Sequence, residues 1–412
     1  VHKLATSNLG RSLILMKIRG TSLVVKFLLT LFVAKFLSFE DLGLYGLISA
    51  SAIVAPVLLG LCLMASVSRR AVTQSLEKTT ESIRHYGIYL GLVYSVLLIA
   101  SLSYGGYSDR ITLALLIWVI ILFEHINFDA YGLLLNLSKP MTANIMHFIR
   151  SAGWALLYMG SAFFIPDLRN IETLLIYWSI GSFISFSGLL VIARDWPWKK
   201  NNPNKSLKKW IRNEFGQSRI MYYNSVLETG STYISHFIIS IFLGLELTGV
   251  YVFFFQVISA MSNLLQTGII QIARPKLLKA YHEKNSHYKQ IWTTCLKLSS
   301  ISASLMSLTA IPALYIVINI MAKPLAIEWF YIFPIMLIGF ILNIVFQANR
   351  LVFYSQHKDK INLYMFAISL FMLIICELFL IQFVSLWGVA VAFIISQIIT
   401  AVMSFNSAKK IV

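Results

Sequence analysis

Runs of roughly twenty apolar residues recur along the whole chain, and no long polar domain separates them. A run of that length crosses a ~30 Å hydrocarbon core as an α-helix. Twelve such spans are predicted, near 12–35, 42–66, 86–104, 111–135, 143–165, 173–192, 219–243, 248–273, 293–318, 329–353, 361–383 and 386–405. Composition agrees: 58% of residues are hydrophobic and 12% charged, against about 45–50% and about 25% in soluble domains. The expected fold class is an all-α polytopic membrane protein. The first run is too long for the apolar part of a cleaved signal and no small-residue cleavage site follows, so it is expected to be retained.

Charge orients the spans. Lys and Arg total 34 against 17 Asp and Glu, a balance that could suggest nucleic acid. The basic residues sit in alternate loops instead, at Arg69–Arg84, Lys139, Arg194–Arg219, Arg274–Lys289, Lys358–Lys360 and Lys409–Lys410. The opposite loops hold little more than Lys35, Arg110, Arg169 and Lys323. That is the positive-inside pattern. It places both termini in the cytoplasm and argues against a nucleic-acid partner, whose footprint clusters on one solvated face. Cys62, Cys295 and Cys376 all fall inside apolar spans and fit no disulfide or metal framework.

The longest polar stretch, ARDWPWKKNNPNKSLKKWIRNEFGQSR (193–219), splits the spans six and six. Its first part, with Pro197 and Pro203, reads as a linker. Its second part puts Leu207, Ile211 and Phe215 on one stripe, with Lys205, Lys208, Lys209 and Arg212 on other faces. This is the pattern of an amphipathic helix lying on an anionic leaflet. The expected organisation is a six-helix lobe over 1–192, a basic cytoplasmic linker over 193–218, and a second six-helix lobe over 219–412.

A short phrase occurs twice. FEDLGLYG (39–46) returns as GLELTGVY (244–251), with Glu40, Gly43 and Tyr45 matched by Glu246, Gly249 and Tyr251, a displacement of 206 residues in 412. Each copy opens the second span of its half and runs to a basic end, Arg69–Arg70 or Arg274 and Lys276. Ser38 and Asp41 approximate a capping box, and Glu40 and Asp41 suit the helix macrodipole. The glycines allow close helix approach, and the tyrosines are expected in an interfacial aromatic belt. LLLNLSKPMTANI (133–145) and LVFYSQHKDKINL (351–363) form a looser echo. An even number of spans separates the copies, so the halves are predicted to be parallel repeats.

KFLLTLFVAKFLSFEDLGLYGLISA (26–50) and LELTGVYVFFFQVISAMSNLLQTGIIQIARPKLLKAYHEKN (245–285) resemble the corresponding hairpins of the polysaccharide-transporter flippases, the Wzx group. These belong to the multidrug/oligosaccharidyl-lipid/polysaccharide (MOP) exporter superfamily. The resemblance runs in outline from the first span to the twelfth. It departs at Lys35, where an Arg is common, and at Glu246, which lacks a paired acid. It implies two parallel-repeat six-helix lobes around a central cavity, and alternating access. It also implies a substrate of undecaprenyl diphosphate carrying an oligosaccharide, such as an O-antigen unit, moved to the periplasmic leaflet of the bacterial inner membrane. Membrane lipids, a polysaccharide polymerase and chain-length proteins are the partners such a role would bring.

The embedded charges can be read independently. A charge at mid-bilayer costs roughly 2.5–3.5 kcal/mol on insertion scales, so it is expected to face a cavity or a partner. Arg19 and Lys26 lie seven positions apart, about 20° from one another on the first span, whereas Lys17 and Lys35 can snorkel. Arg150, with His147 one turn away, and Arg350 are further embedded cations, and Lys297 a weaker one. Guanidinium and ammonium groups bind diphosphate oxygens by charge-assisted hydrogen bonds. Arg19, Lys26, Arg150 and Arg350 are therefore the candidate substrate-binding residues. Of the embedded acids Glu124, Asp129, Glu228 and Glu377, each could simply neutralise a base; His125 and Asp129 could pair locally. The sharper reading is that Glu228 and Glu377 bind a coupling H+ or Na+. No catalytic or metal site and no cofactor is expected.

Two other classes remain open. A membrane-embedded polymerase or glycosyltransferase would need a sizeable outer loop, and those here are short. A multidrug/cation antiporter of the same superfamily would want an acidic or aromatic cavity, which the surplus of embedded Lys and Arg opposes.

Overall fold

The computed structural model describes residues 2–103, 111–198, 206–284 and 287–411, with side chains from Ile14 onward except Met16. Arg110, Lys199, Lys200, Pro203 and Lys205, singled out above, lie outside the described residues. The fold is all-helical, with no strand among the described residues. Its main elements are α1 (His2–Phe36), α2 (Phe39–Gly60), α3 (Leu63–Arg70), α4 (Leu76–Ser103), α5 (Ile111–Asn136), α6 (Pro140–Phe148), α7 (Trp154–Phe164) and α8 (Ile171–Ala193). Then come α9 (Leu207–Leu265), α10 (Gln271–His282), α11 (Tyr288–Met321), α12 (Pro324–Glu328), α13 (Ile332–Ser355), α14 (Asp359–Val384) and α15 (Leu386–Ile411).

Nine helices among the described residues are long and apolar enough to cross a membrane. One of these, Leu207–His282, holds two predicted spans joined at Gly244. The charged α1 and the interrupted α6–α7 pair supply the other two of the twelve helical passes that the sequence predicts. The chain is a multi-pass membrane protein. Its contacts divide it into two compact units, Val1–Phe32 with Ile48–Val226, and Val33–Leu47 with Leu227–Val412.

In the first unit α3, α4 and α5 enclose a core of Leu63, Met64, Val67, Tyr86, Leu90, Tyr94 and Leu133. The start of α9 completes it. Trp210 is buried there, stacked on His85 at 5.6 Å and 17°, with Leu207, Ile211 and Phe215 packed around it. Glu214 is buried on the same stripe, ion-paired with Arg70 and accepting a hydrogen bond from Ser66 at 3.0 Å. This corrects the expectation of a helix lying on the leaflet. The stripe faces protein, and a carboxylate on it meets a base that a lipid surface would not offer. Nor does the helix stop before the predicted seventh span; α9 runs straight into it.

Between α2 and α3 Leu61 and Cys62 both take positive φ, 49° and 52°. A break there frees carbonyls that hydrocarbon cannot hydrate. Tyr89 donates to the Leu59 carbonyl at 2.7 Å and Ser218 to that of Leu61 at 3.2 Å.

In the second unit the repeated phrase packs against itself. A Cβ on Gly43 would meet the Leu245 carbonyl and the Gly249 amide; one on Gly249 would meet the Phe39 carbonyl and the Gly43 amide. Two backbones touch where both copies have no side chain, as in small-residue contacts between membrane helices. The capping box forms as expected: Ser38 Oγ accepts from the Asp41 amide at 3.0 Å, and Asp41 accepts from the Ser38 amide at 3.2 Å. The tyrosines do not form a belt. Tyr45 and Tyr251 are buried, drawn inside because the close crossing brings the residues beside each glycine into the core. Gly244 turns the chain at φ 84°, ψ 177°, a conformation open essentially to glycine alone.

The bases in the opposite loops have a local role. Lys323 donates to the Leu37 carbonyl just past α1 at 3.0 Å, and Arg169 to the Ala162 and Phe163 carbonyls ending α7 at 2.9 and 3.0 Å. Each satisfies orphan carbonyls at a helix C-terminus, and burial holds the Lys323 ammonium below its ordinary range.

Because the atoms facing Gly43 and Gly249 are backbone, they cannot step aside. Gly43→Ala and Gly249→Ala are each expected to cost about 1–3 kcal/mol by overpacking, read as a lower melting temperature in detergent. Gly160→Ala, where an added Cβ meets nothing within 4 Å, is the control and should leave it unchanged.

Candidate functional site

In the first unit the site grows from an interruption. Between α6 and α7, residues Ile149–Gly153 form a π-helical turn, the kind of bulge that often marks functional positions. Trp154 Nε1 donates to the Arg150 carbonyl at 2.8 Å and stacks on Trp178 of α8 at 5.3 Å and 7°. The Arg150 side chain reaches α5, donating to the Glu124 carbonyl at 3.1 Å, with Nε 3.5 Å from the Glu124 carboxylate. The other carboxylate oxygen accepts from Trp178 at 3.0 Å and from Ser182 at 2.8 Å. Glu124 is thus fully used in holding α5, α8 and the π turn together.

Arg19 and Lys26 stand on α1 as the periodicity predicts: both are exposed, while Ser22, Val25 and Leu29 on the adjoining face are buried. Arg19 is aimed rather than loose. Its Nε donates to Asn144 Oδ1 at 2.9 Å, its terminal nitrogen donates to the Tyr131 hydroxyl, and it lies 5.7 Å from that ring. Asn144 is itself held by donating to the Pro140 carbonyl at 2.7 Å. Lys26 makes no hydrogen bond or ion pair among the described residues, yet lies within the field of Glu124 and Arg150. His147 lies in the combined field of Arg150, Lys26 and Arg19. Three of the four candidate cations therefore share one unit, and Glu124 offsets one of them.

Arg350 is elsewhere, on α13 in the second unit. It makes a two-pronged pair with Glu228 of α9 at 2.7 and 3.1 Å, donates to Gln347 Oε1 at 2.9 Å, and lies 4.5 Å from the Phe366 ring. One candidate cation and one candidate coupling acid thus satisfy each other. Glu228 and Ser235 line a cavity of about 180 Å³ whose wall mixes hydroxyl and amide side chains, such as Ser231, Asn343 and Gln397, with aromatic rings, such as Phe255, Phe340 and Phe366. Glu377 is fully buried on α14, accepting from Ser235 at 2.5 Å, while its second oxygen has no hydrogen-bond partner among the described residues. Seven residues, about 10 Å of helix axis, separate Glu228 from Ser235. Ser235 thus holds Glu377 while lining the same cavity as Glu228.

His125 and Asp129 pair at 3.2 Å, joined by the Tyr86 hydroxyl, which donates to Asp129 and lies 3.0 Å from His125, and by Tyr94 at 2.9 Å. Among the described residues no group of three His, Cys, Asp or Glu side chains could hold a metal. The residues that sequence reading missed are the ones that aim the charges: Tyr131, Asn144, Trp178, Ser182 and Ser235. The spacing of Trp178 and Ser182, one turn apart on a buried face, was the available signal.

No family model matches the chain, and no curated protein matches it. Solved structures do. An inward-facing multidrug resistance MATE family transporter of the MOP superfamily superposes with TM-score 0.70 at 12% identity, covering 94% of this chain and 95% of that one. An outward-facing one gives 0.58 at 14%, covering 95% and 92%. The fold is that of MOP superfamily transporters. A third, from Pyrococcus furiosus, is a MOP superfamily transporter whose reversed binding-pocket polarity suggests a different function; it gives TM-score 0.56 at 12% identity, covering 96% and 92%. This MOP fold thus accommodates pockets of differing charge.

The Arg350–Glu228 pair generates a test. Arg350→Gln leaves a carboxylate beside an apolar ring and should lower thermal stability in detergent. Glu228→Gln in the same chain should restore most of the loss, since removing both charges is far cheaper than stranding one. Additive losses in the double variant would show that the two do not interact.

Proposed function

We propose that this protein is an ion-coupled secondary transporter that flips an undecaprenyl-diphosphate-linked oligosaccharide from the cytoplasmic to the periplasmic leaflet of a bacterial inner membrane. The observation that carries the proposal is a surplus of positive charge on the first unit. Glu124 is engaged by Arg150, Trp178 and Ser182, whereas Arg19 and Lys26 form no ion pair among the described residues, Lys26 meeting Glu124 only through its field. Two such cations on one helix face suit the several acceptor oxygens of a diphosphate. Coupling to an ion gradient is inferred from the lack of a phosphate-cradling Gly-rich loop in the sequence. Glu377, with one carboxylate oxygen unpartnered among the described residues, is the acid best placed to take the ion. Cytoplasmic termini, and work alongside a polymerase and chain-length proteins, belong to the same proposal.

A second reading, a multidrug/cation antiporter, is favoured by the similar structures, which include multidrug resistance transporters. The two readings make opposite demands on α1, since organic cations would be repelled by Arg19 and Lys26.

In a strain lacking the chromosomal copy, Arg19→Ala and Lys26→Ala should each reduce surface polysaccharide at normal protein levels. Arg19→Lys should keep part of it, and Arg19→Glu should abolish it. Glycan output unchanged by Arg19→Glu, together with efflux of organic cations by the wild type, would replace the flippase with the antiporter. Glu377→Gln should stop gradient-driven transport while the protein still inserts; normal transport across a range of pH and sodium would remove Glu377 from coupling.

A further inference from the structure

We propose that the first unit carries a resident bilayer phospholipid, with one acyl chain in a groove between α4, α5 and α8 and its phosphate on Arg84. The groove has a volume of about 440 Å³, within the roughly 300–1,000 Å³ of ordinary small-molecule sites. Its wall on α4 is formed by Gly87 and Gly91, one helical turn apart. A Cβ built on either meets nothing within 4 Å. Glycines on membrane helices usually let a neighbouring helix approach. Among the described residues no atom lies within 4 Å of a Cβ at either position. A void of this size would forfeit dispersion contacts along its whole lining, so in a bilayer it is filled, and the lining dictates by what.

Facing the glycines are Leu122, Ile126 and Phe186, none with a hydrogen-bonding group. The one carboxylate in the wall, Asp129, is already held by Tyr86 and His125. The body of the occupant is therefore hydrocarbon. Polarity is confined to one end, where Arg84 is exposed and makes no hydrogen bond or ion pair among the described residues. Trp196 and Trp198 close that same end, stacked at 6.1 Å, as tryptophans do at headgroup level. From Arg84 to Gly91 is seven residues, about 10 Å of helix axis, which fits within the ~15 Å half-thickness of the hydrocarbon core. That is the reach of a chain from one leaflet. Two acids outside the lining are close to it in the chain, Glu81 one helical turn before Arg84 and Asp195 next to Trp196. Bases and acids together match a headgroup with both a phosphate and a primary ammonium, a phosphatidylethanolamine, better than a purely anionic one.

The test is native mass spectrometry of the full chain released from nanodiscs of mixed phosphatidylethanolamine and phosphatidylglycerol. The wild type should retain one phosphatidylethanolamine. Gly87→Leu/Gly91→Leu fills the groove without meeting neighbouring atoms at Cβ and should lower retention by roughly tenfold, the effect of about 1.4 kcal/mol. Ile99→Leu, at an exposed position on the same helix, should not. Arg84→Gln lies at the rim, where folding does not depend on it, and should remove the headgroup preference. Retention unchanged in the filled variant, or an ethanolamine preference unchanged in Arg84→Gln, would overturn the assignment. So would a wild type that keeps phosphatidylglycerol instead. None of these readouts depends on what the protein transports.

Discussion

Hydrocarbon offers no water to a helix that ends or breaks inside it, so each freed carbonyl must be met by protein. Much of the structure follows from that requirement. The break at Leu61–Cys62 is met by Tyr89 and Ser218, which come from α4 and α9 and so tie three helices together. The π turn at Ile149–Gly153 is met by Trp154, whose ring then stacks on α8. The ends of α1 and α7 are met by Lys323 and Arg169. A loop lysine that departs from the positive-inside pattern is thus explained by backbone chemistry.

Charge obeys the same economy. Glu124 has Arg150, Glu228 has Arg350, Glu214 has Arg70, and Asp129 has His125. Once these pairs are set aside, the surplus on α1 stands out, because Arg19 and Lys26 form no ion pair among the described residues. Arg19 is oriented by neutral partners, Tyr131 and Asn144, which fix its direction without cancelling its charge.

The helices were legible because periodicity and length are local, and so was the capping box at Ser38. The shared face of Arg19 and Lys26 was legible for the same reason. The pairings were not. Glu124 and Arg150 lie 26 residues apart, Arg350 and Glu228 122, and Ser66 and Glu214 148, and a single sequence carries no signal that joins such distant positions. The stripe on 207–215 looked the same whether lipid or protein covered it; only Glu214 on that stripe hinted at a protein neighbour. Tyr45 and Tyr251 were misread because a tyrosine near a span end can equally sit in a belt or pack inward. What decided it was the close approach at the neighbouring glycines.

The repeat explains that approach. When two copies of one phrase meet in a near-symmetric crossing, each residue of one faces its counterpart in the other, so any side chain at the crossing would collide with its own repeat. Glycine in both copies is the solution that symmetry demands, and Gly43 and Gly249 meet backbone to backbone. Away from the crossing the halves are free to diverge, and they do so in charge. The first unit has two cations on α1 with no ion pair among the described residues, while the second lines its cavity with hydroxyls, amides and aromatic rings and pairs Arg350 with Glu228. One architecture thus carries two different distributions of charge, with cations on α1 in the first unit and a carboxylate–guanidinium pair at the cavity of the second.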